Sequence, residues 1–572
     1  MAFQVSPGVQ VNEIDLTTVV PATATSIGGF AGAFNWGPAD SITLVSNEKE
    51  LAQAFGAPTT DATIARSFLT AASFLKYGNS LKVVRSVGSA GRNAVVSGTA
   101  VAIKNRNAYD TNYADGQGAV GAWAAKYVGT LGNSLLVSVC PSETAFASWA
   151  YKSSFPAAPG TSASATGAGS SNDEMHIVVV DENGAWTGTP NTIVEKFSFV
   201  SQAKDALKED GTSNYYKNVV NASSKYIYWM DHDTNLTKAG QSIFAAQDFG
   251  GYNANISNSL ANGVDANPTA ANVSSSLDLF ANADNVDVDL LFTAGDAATV
   301  NGAVITGETT LSLAAIAIAT ARKDCVAFVS PPIEVTAVSS DPLADITAWN
   351  TLLAANSSYA VIDSTALKVY DKYNDVYRWI TAAGHIAGLC ANTDRVADAW
   401  WSPAGTSRGA LLGVTKLAFN PSKAQRDTLF SAGINPIIST PGEGTILFGD
   451  KTSLKKPSAF DAINVRRLFI VLEKSISRAA KAQLFEFNDE FTRASFRNAV
   501  EPFLRDIQGR RGITDFKVVC DATNNTGDII DRNEFRADIY IKPARAIRYI
   551  TLSFIATRTG VQFSEIVGNG AA

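Results

Sequence analysis

The segment from Asn464 to Phe554 constrains this chain more than any other. Apolar residues at Val465, Leu468, Phe469, Leu472, Ile476 and Ala480 recur at helical spacing and share one stripe, with Asn464 as a good N-cap. A second helix is predicted from near Asp489. Phe496, Val500, Phe503, Leu504 and Ile507 form its stripe, Gly509 suits the position just past its end, and Pro502 inside it predicts a kink. Phe516–Asp521 and Phe535–Ile541 then read as strands by alternation and β-branching, joined by the turn-rich ATNNTGDIIDRN. Ile547–Ala556 is a third strand candidate. Amphipathic helices followed by strands make an α+β core. Almost every polar residue of the block is charged or a turn former, and no cluster in it has a catalytic composition.

Charge divides the rest of the chain. Residues 94–309 hold 10 Lys+Arg against 21 Asp+Glu, whereas residues 464–572 hold 17 against 13. Residues 1–93 and 310–463 each balance. The middle segment contains low-complexity patches such as FPAAPGTSASATGAGSSND, yet HIVVVDE, TIVEKFSFV, KYIYWM and VDVDLLFTA read as strands. It is therefore expected to be a folded, β-rich, acidic insertion that faces solvent.

Several function classes find little support. The longest apolar run, Leu311–Ala321, stops at Arg322 and is too short to cross a membrane. No basic residue precedes Lys49, so a signal peptide is not expected. Cys140, Cys325, Cys390 and Cys520 lie far apart, as buried thiols made in a reducing cytoplasm would. GTSRG at Gly405–Gly409 matches a nucleophile elbow around Ser407, but such an enzyme places its histidine after the serine, and no histidine follows His385. His385 with Cys390, and Asp231-His232-Asp233, read as a buried histidine beside a structural thiol and as a solvated turn. No P-loop occurs, and Arg510-Arg511 is too short a basic run for a nucleic-acid interface. No catalytic residue, metal or cofactor is expected.

Eight motifs carry a family resemblance. They are SPGVQVNEID (Ser6–Asp15), GGFAGAFNWGPAD with SITLVSNEKELAQAFG (Gly28–Gly56), ARKDCVAFVSPP (Ala321–Pro332), AGHIAGLCANTDR (Ala383–Arg395), WSPAGTSRGALLGV (Trp401–Val414), AGINPIISTPGEGTILFGDKT (Ala432–Thr452) and the C-terminal block. In content and order they resemble the contractile-tail sheath proteins of bacteriophages, a family that includes sheaths of phage-like bacteriocins and secretion-type injection systems. One departure is Asp450-Lys451-Thr452, where the family commonly has an Arg-Thr pair. The resemblance covers roughly residues 1–90 and 310–572; nothing in 94–309 resembles it.

The resemblance implies a mixed α/β, multidomain subunit with an N-terminal arm (1–22), core parts at 23–93 and 310–463, the insertion (94–309), and a C-terminal sheath domain with a terminal arm (464–572). It implies a homo-oligomer of stacked rings, six subunits each, around a tail tube protein. Baseplate and tail terminator proteins would be further partners, without direct nucleic-acid contact or membrane insertion. Its place would be the virion tail, after assembly in host cytoplasm. Contraction of the rings would drive the tube through the host envelope. Both chain ends are extended and too short to fold alone, so each needs a sheet edge. Val9, Val11, Ile14, Phe563 and Ile566 are the expected strand residues of arms crossing between subunits. Arg505, Arg510 and Arg511 are the expected tube contact, as the most concentrated basic patch of the only net-positive segment.

Overall fold

The structure is a computed structural model that describes residues 25–116, 118–301, 304–307, 309–549 and 551. Its centre is a seven-stranded sheet of β1 (Gly28–Ala33), β2 (Ile42–Val45), β3 (Leu81–Ser86), β4 (Leu290–Thr293), β5 (Val326–Val329), β6 (Ala360–Asp363) and β7 (Ile434–Asn435). The order is β7–β6–β5–β4–β1–β3–β2, and every neighbouring pair is parallel except β2–β3. Parallel strands covered on both faces read as unbroken apolar runs, which is why GGFAGA lacks alternation.

Side-chain alternation assigns the two faces. Phe30, Val83, Phe292 and Phe328 pack against Phe68 and Phe74 of α1 (Ala62–Leu75) and, further along the chain, Ile386 and Leu389 of the helix over Ala383–Val396. Their sequence neighbours Ala31, Val84, Leu291 and Ala327 meet Leu277 of α2 (Ala270–Leu277), Ala315 of α3 (Thr310–Arg322) and Trp349 of α4 (Pro342–Leu353) on the other face. The helix over Ala383–Val396, α5, carries the AGHIAG motif. A Cβ on Gly384 would lie 2.4 Å from Ser73 Oγ, and one on Gly388 2.5 Å from the Tyr77 ring, so these glycines let α5 pack closely beside α1.

The chain leaves this core near Arg92 and returns at Val264, two residues that bridge each other. Between them, strands at Leu135–Cys140, Glu174–Asp181, Thr192–Ser201 and Ile256–Ser259 form an antiparallel sheet with its own core around Trp123, Val137, Ile177 and Tyr216. Buried Arg85 fastens this lobe to the core. Its guanidinium donates to the carbonyls of Phe34, Asn35 and Gly37 on one side and of Val128, in the lobe, on the other. Burial lowers its pKa to about 10.

The segment expected as one insertion over 94–309 thus divides. Its last part supplies α2 and β4 to the centre of the main structure, with β4 seated between β1 and β5. That part is also the more acidic one: residues 265–309 contain Asp265, Asp278, Asp284, Asp287, Asp289, Asp296 and Glu308 and no Lys or Arg. The strand character of VDVDLLFTA was legible; its partner strands, far away in sequence, were not.

The C-terminal domain consists of α6 (Ile463–Lys481), α7 (Glu490–Gly509), β8 (Ile513–Val519) and β9 (Asp538–Pro543), the strands pairing antiparallel. Leu468, Leu472, Phe496, Val500, Leu504 and Ile507 form its core, as the stripes predict. Asn464 is not the cap. α6 starts after Ala462, and Asn464 lies inside it, donating to the Trp400 carbonyl at 3.3 Å. Asp489 does cap α7, accepting from Thr492 N at 2.8 Å. That helix runs through Pro502, and the left-handed residue after it is Arg511 (φ 66°), not Gly509. Residues 547–549 form no strand; most of the third strand candidate lies outside the described residues.

Candidate functional site

The carboxyl ends of a parallel sheet are where an α/β enzyme would bind its ligand. Here they are filled by the chain's own groups. Ser330, after β5, donates to Asp363 at the end of β6 and accepts from Ala383 N at the start of α5. Asn435, at the end of β7, donates to the carbonyls of Ile362 and Lys451 and accepts from Lys451 N. All three residues are buried.

No strand precedes GTSRG; it lies in a turn with Ser407 exposed. His385 is fully buried, bonded through Nδ1 to Tyr77 Oη at 3.0 Å, and burial lowers its pKa to about 3. Burial pushes the Cys390 thiol up to about 12, which leaves it a poor nucleophile. His232 bonds the hydroxyls of Tyr215 and Tyr216. Among the described residues, no group of three or more His, Cys, Asp or Glu could hold a metal ion, and no helix is long and apolar enough to cross a membrane.

The organised polar chemistry instead lies along and beside α6, near either limit of the described residues. Arg467 and Lys474 are two turns apart and share a face. Arg467 pairs with Asp394 of α5 at 2.6 Å and donates to the Thr25 carbonyl, while the Thr25 hydroxyl donates to the same Asp394 carboxylate. Burial alone would lower the Arg467 pKa; the Asp394 charge outweighs it and raises it. Lys474 bonds Asp287 at 2.8 Å and Asp289 at 2.5 Å, and Asp289 accepts from Ile27 N. Thr25 and Ile27 are thus tied to α6 where the N-terminal segment enters β1.

The other end is held beside the start of the same helix. Arg548 pairs with Asp450 at 2.9 Å and with Asp461 at 3.6 Å. Asp450 opens the Asp450-Lys451-Thr452 stretch, and its acidic side chain has a defined partner here. Motif reasoning missed Asp394, Arg467, Lys474 and Arg548, because each pairs with a residue remote in sequence.

Of the expected tube contact, Arg505 points outward with its side chain 70 % exposed, paired only with Glu501 one turn away. Arg510 lies over the Trp400 ring and pairs with Asp398, and Arg511 lies over Trp401. Val9, Val11, Ile14, Phe563 and Ile566 lie outside the described residues.

In this chain the polar groups at the carboxyl ends of β5, β6 and β7 and along α6 bond one another. Three family profiles match it in order: the tail sheath protein Gp18 domain III N-terminal region over residues 25–85, the phage tail sheath central domain over 267–453 and the phage tail sheath C-terminal domain over 455–557. The tail sheath protein of Vibrio phage KVP40 is 34% identical, with 98% of this chain and 99% of that one covered. That of Enterobacteria phage T4 is 33% identical over the same shares. The chain belongs to the phage tail sheath family. The fold is similar to the helical sheath of the anti-feeding prophage in its contracted state (TM-score 0.50, 14% identity, 97% of this chain and 100% of that one). The 86–266 gap between the first two profile matches coincides with the antiparallel lobe.

Proposed function

We propose that this protein is the subunit of a contractile phage tail sheath: copies stack as rings of six around a tail tube, and their rearrangement into a shorter, wider array drives the tube through the host envelope. End-to-end similarity to tail sheath proteins carries the reading. The role is mechanical rather than enzymatic, with free energy supplied by contacts between subunits. Its place is the virion tail, and its partners are the tube, the baseplate and the tail terminator.

The physical argument concerns load. Subunits that slide past one another must stay linked, and β-strand addition preserves backbone hydrogen bonds while a flexible lead reorients. Val9, Val11 and Ile14, with Phe563 and Ile566, would supply the added strands. The two-stranded β8–β9 sheet has an outer edge on each side to receive them. The clamps on Thr25, Ile27 and Arg548 would pass force from the arms into α6. Arg505 is the member of the expected tube contact left free to meet a partner.

Negative-stain microscopy of the purified protein tests the reading. Helical tubes or stacked rings are expected; monodisperse subunits at every concentration and salt condition would overturn it.

A further inference from the structure

The loop between α6 and α7 and the first turn of α7 carry Leu484, Phe485, Phe487 and Phe491 into solvent, 62%, 105%, 86% and 70% exposed. Four large apolar side chains so close together are a contiguous patch of the kind that marks an interaction site. The loop is built rather than slack. Asn488, beneath the rings, donates to Asn525 Oδ1 at 3.1 Å and to the Glu534 carbonyl at 2.8 Å, and accepts from Arg493. Phe485 is held at φ 73°, a backbone conformation that phenylalanine seldom adopts. Glu486, Asp489 and Glu490 interleave with the apolar residues in sequence, Asp489 capping α7 and Glu490 being shared with Arg493 and Arg497.

A second surface has the opposite character. Among the described residues an open cleft of about 1120 Å³ lies between the core and the C-terminal domain, with aromatic walls at Trp401, which Arg408 and Arg511 overlie, at Phe430, under Lys451 and Arg548, and at Phe448, under Arg426. Lys423, Arg426 and Arg545 line it. Of its carboxylates Asp427 and Asp450, the second is engaged by Arg548.

We propose that the Leu484–Phe491 knob of one copy seats in this cleft of a second copy, phenyl rings against the aromatic walls and Glu486 toward the cleft cations. Charge and apolar character are complementary. Because knob and cleft are different surfaces of one chain, the contact is head-to-tail, the kind that propagates into an open helix when its rotation does not close. The proposal rests on the sheath reading and names a contact apart from the arms.

The test uses the full chain. All four native cysteines are buried, so Phe487→Cys with Phe448→Cys in one chain reports the contact through a short bismaleimide. A ladder of linked copies is expected from the double variant and at most dimers from either single variant. In parallel, Phe485→Ser with Phe487→Ser should raise the critical concentration for polymerisation at least tenfold with the Tm of the subunit unchanged. Three results overturn the contact: no ladder from a double variant that polymerises, normal polymerisation of the serine variant, or serine-variant loss confined to co-assembly with tubes, which assigns the knob to the tube. Wild-type protein that never polymerises overturns the sheath reading and this contact with it.

Discussion

Lys474 of α6 lies 2.5 Å from the carboxylate of Asp289, across 185 residues of chain. Burial raises the Asp289 pKa to about 6 even though Lys474 pulls it down, so desolvation outweighs the pairing for the acid. Asp289 also accepts from Ile27 N, and the pair therefore joins the C-terminal domain, the central sheet and the root of the N-terminal segment at one point.

Lys474→Met should cost about 3–5 kcal/mol, the usual penalty for stranding a buried charge. A carboxyl whose folded pKa is raised contributes stability that is present below its unfolded value near 3.8 and lost as pH rises through about 6. The deficit should therefore be small near pH 5 and largest at pH 8, and adding Asp289→Asn should recover most of it. Urea unfolding of disassembled subunits at both pH values checks this; a pH-independent deficit would reject it.

Asp363 supplies an internal comparison. It is buried with no basic partner among its hydrogen bonds, and burial raises its pKa to about 7. The same sign applies: stability from this group is complete below pH 3.8 and declines as pH rises through 7. Asp363→Asn keeps an acceptor for Ser330 and removes the titration. Its stability relative to wild type should improve between pH 5 and pH 8, by on the order of 1–4 kcal/mol. Parallel stability curves for the two proteins would count against this assignment.

The boundary of the lobe can be cut two ways. Replacing residues 94–262 by Gly-Gly joins segments that Arg92 and Val264 already hold together, and should leave a folded core that still assembles. Replacing 94–309 removes β4 from the middle of the central sheet and should abolish folding. Far-UV circular dichroism and microscopy separate the outcomes. A folded 94–262 deletion that fails to polymerise would instead assign inter-subunit contacts to the lobe.

Deleting residues 1–20 should leave a soluble subunit with unchanged Tm, because Thr25 and Ile27 retain their anchors on Asp394, Arg467 and Asp289. Long tubes should disappear from micrographs. Tubes of ordinary length would sink the proposal that this segment pairs with a neighbour.

Arg505 and Arg510 should behave differently on reversal to Glu. Arg505→Glu breaks only an exposed pair with Glu501 and should shift stability by less than about 0.5 kcal/mol while weakening assembly on isolated tubes. Arg510→Glu breaks the Asp398 pair and the stacking on Trp400 and should by itself cost about 1–2 kcal/mol of stability at the domain junction, with a lower Tm. Thermal melts and tube co-sedimentation across a salt titration distinguish the two.

Much of the C-terminal domain was legible in the sequence because its signals are local. The 3.6-residue stripes of α6 and α7, the Asp489 cap and the alternation of β8 and β9 arise from near neighbours. Asn464 misled for a related reason. Its side chain suits a cap, but the Trp400 carbonyl, 64 residues away, offers it a partner inside the helix. That no histidine follows Ser407 could likewise be read from residue order.

The sequence by itself determined the two long helices and two strands of the C-terminal domain, four strands of the middle segment, the order of the family motifs and the uneven charge. Only tertiary structure decided that β4 belongs between β1 and β5 and that its acidic flank meets Lys474 rather than solvent. It also decided that Arg510 and Arg511 lie on Trp400 and Trp401, and that Arg548 answers Asp450. The reason is physical: strand register and ion pairing are set by which surfaces meet, and the partners here lie tens to hundreds of residues apart, beyond the reach of any local pattern.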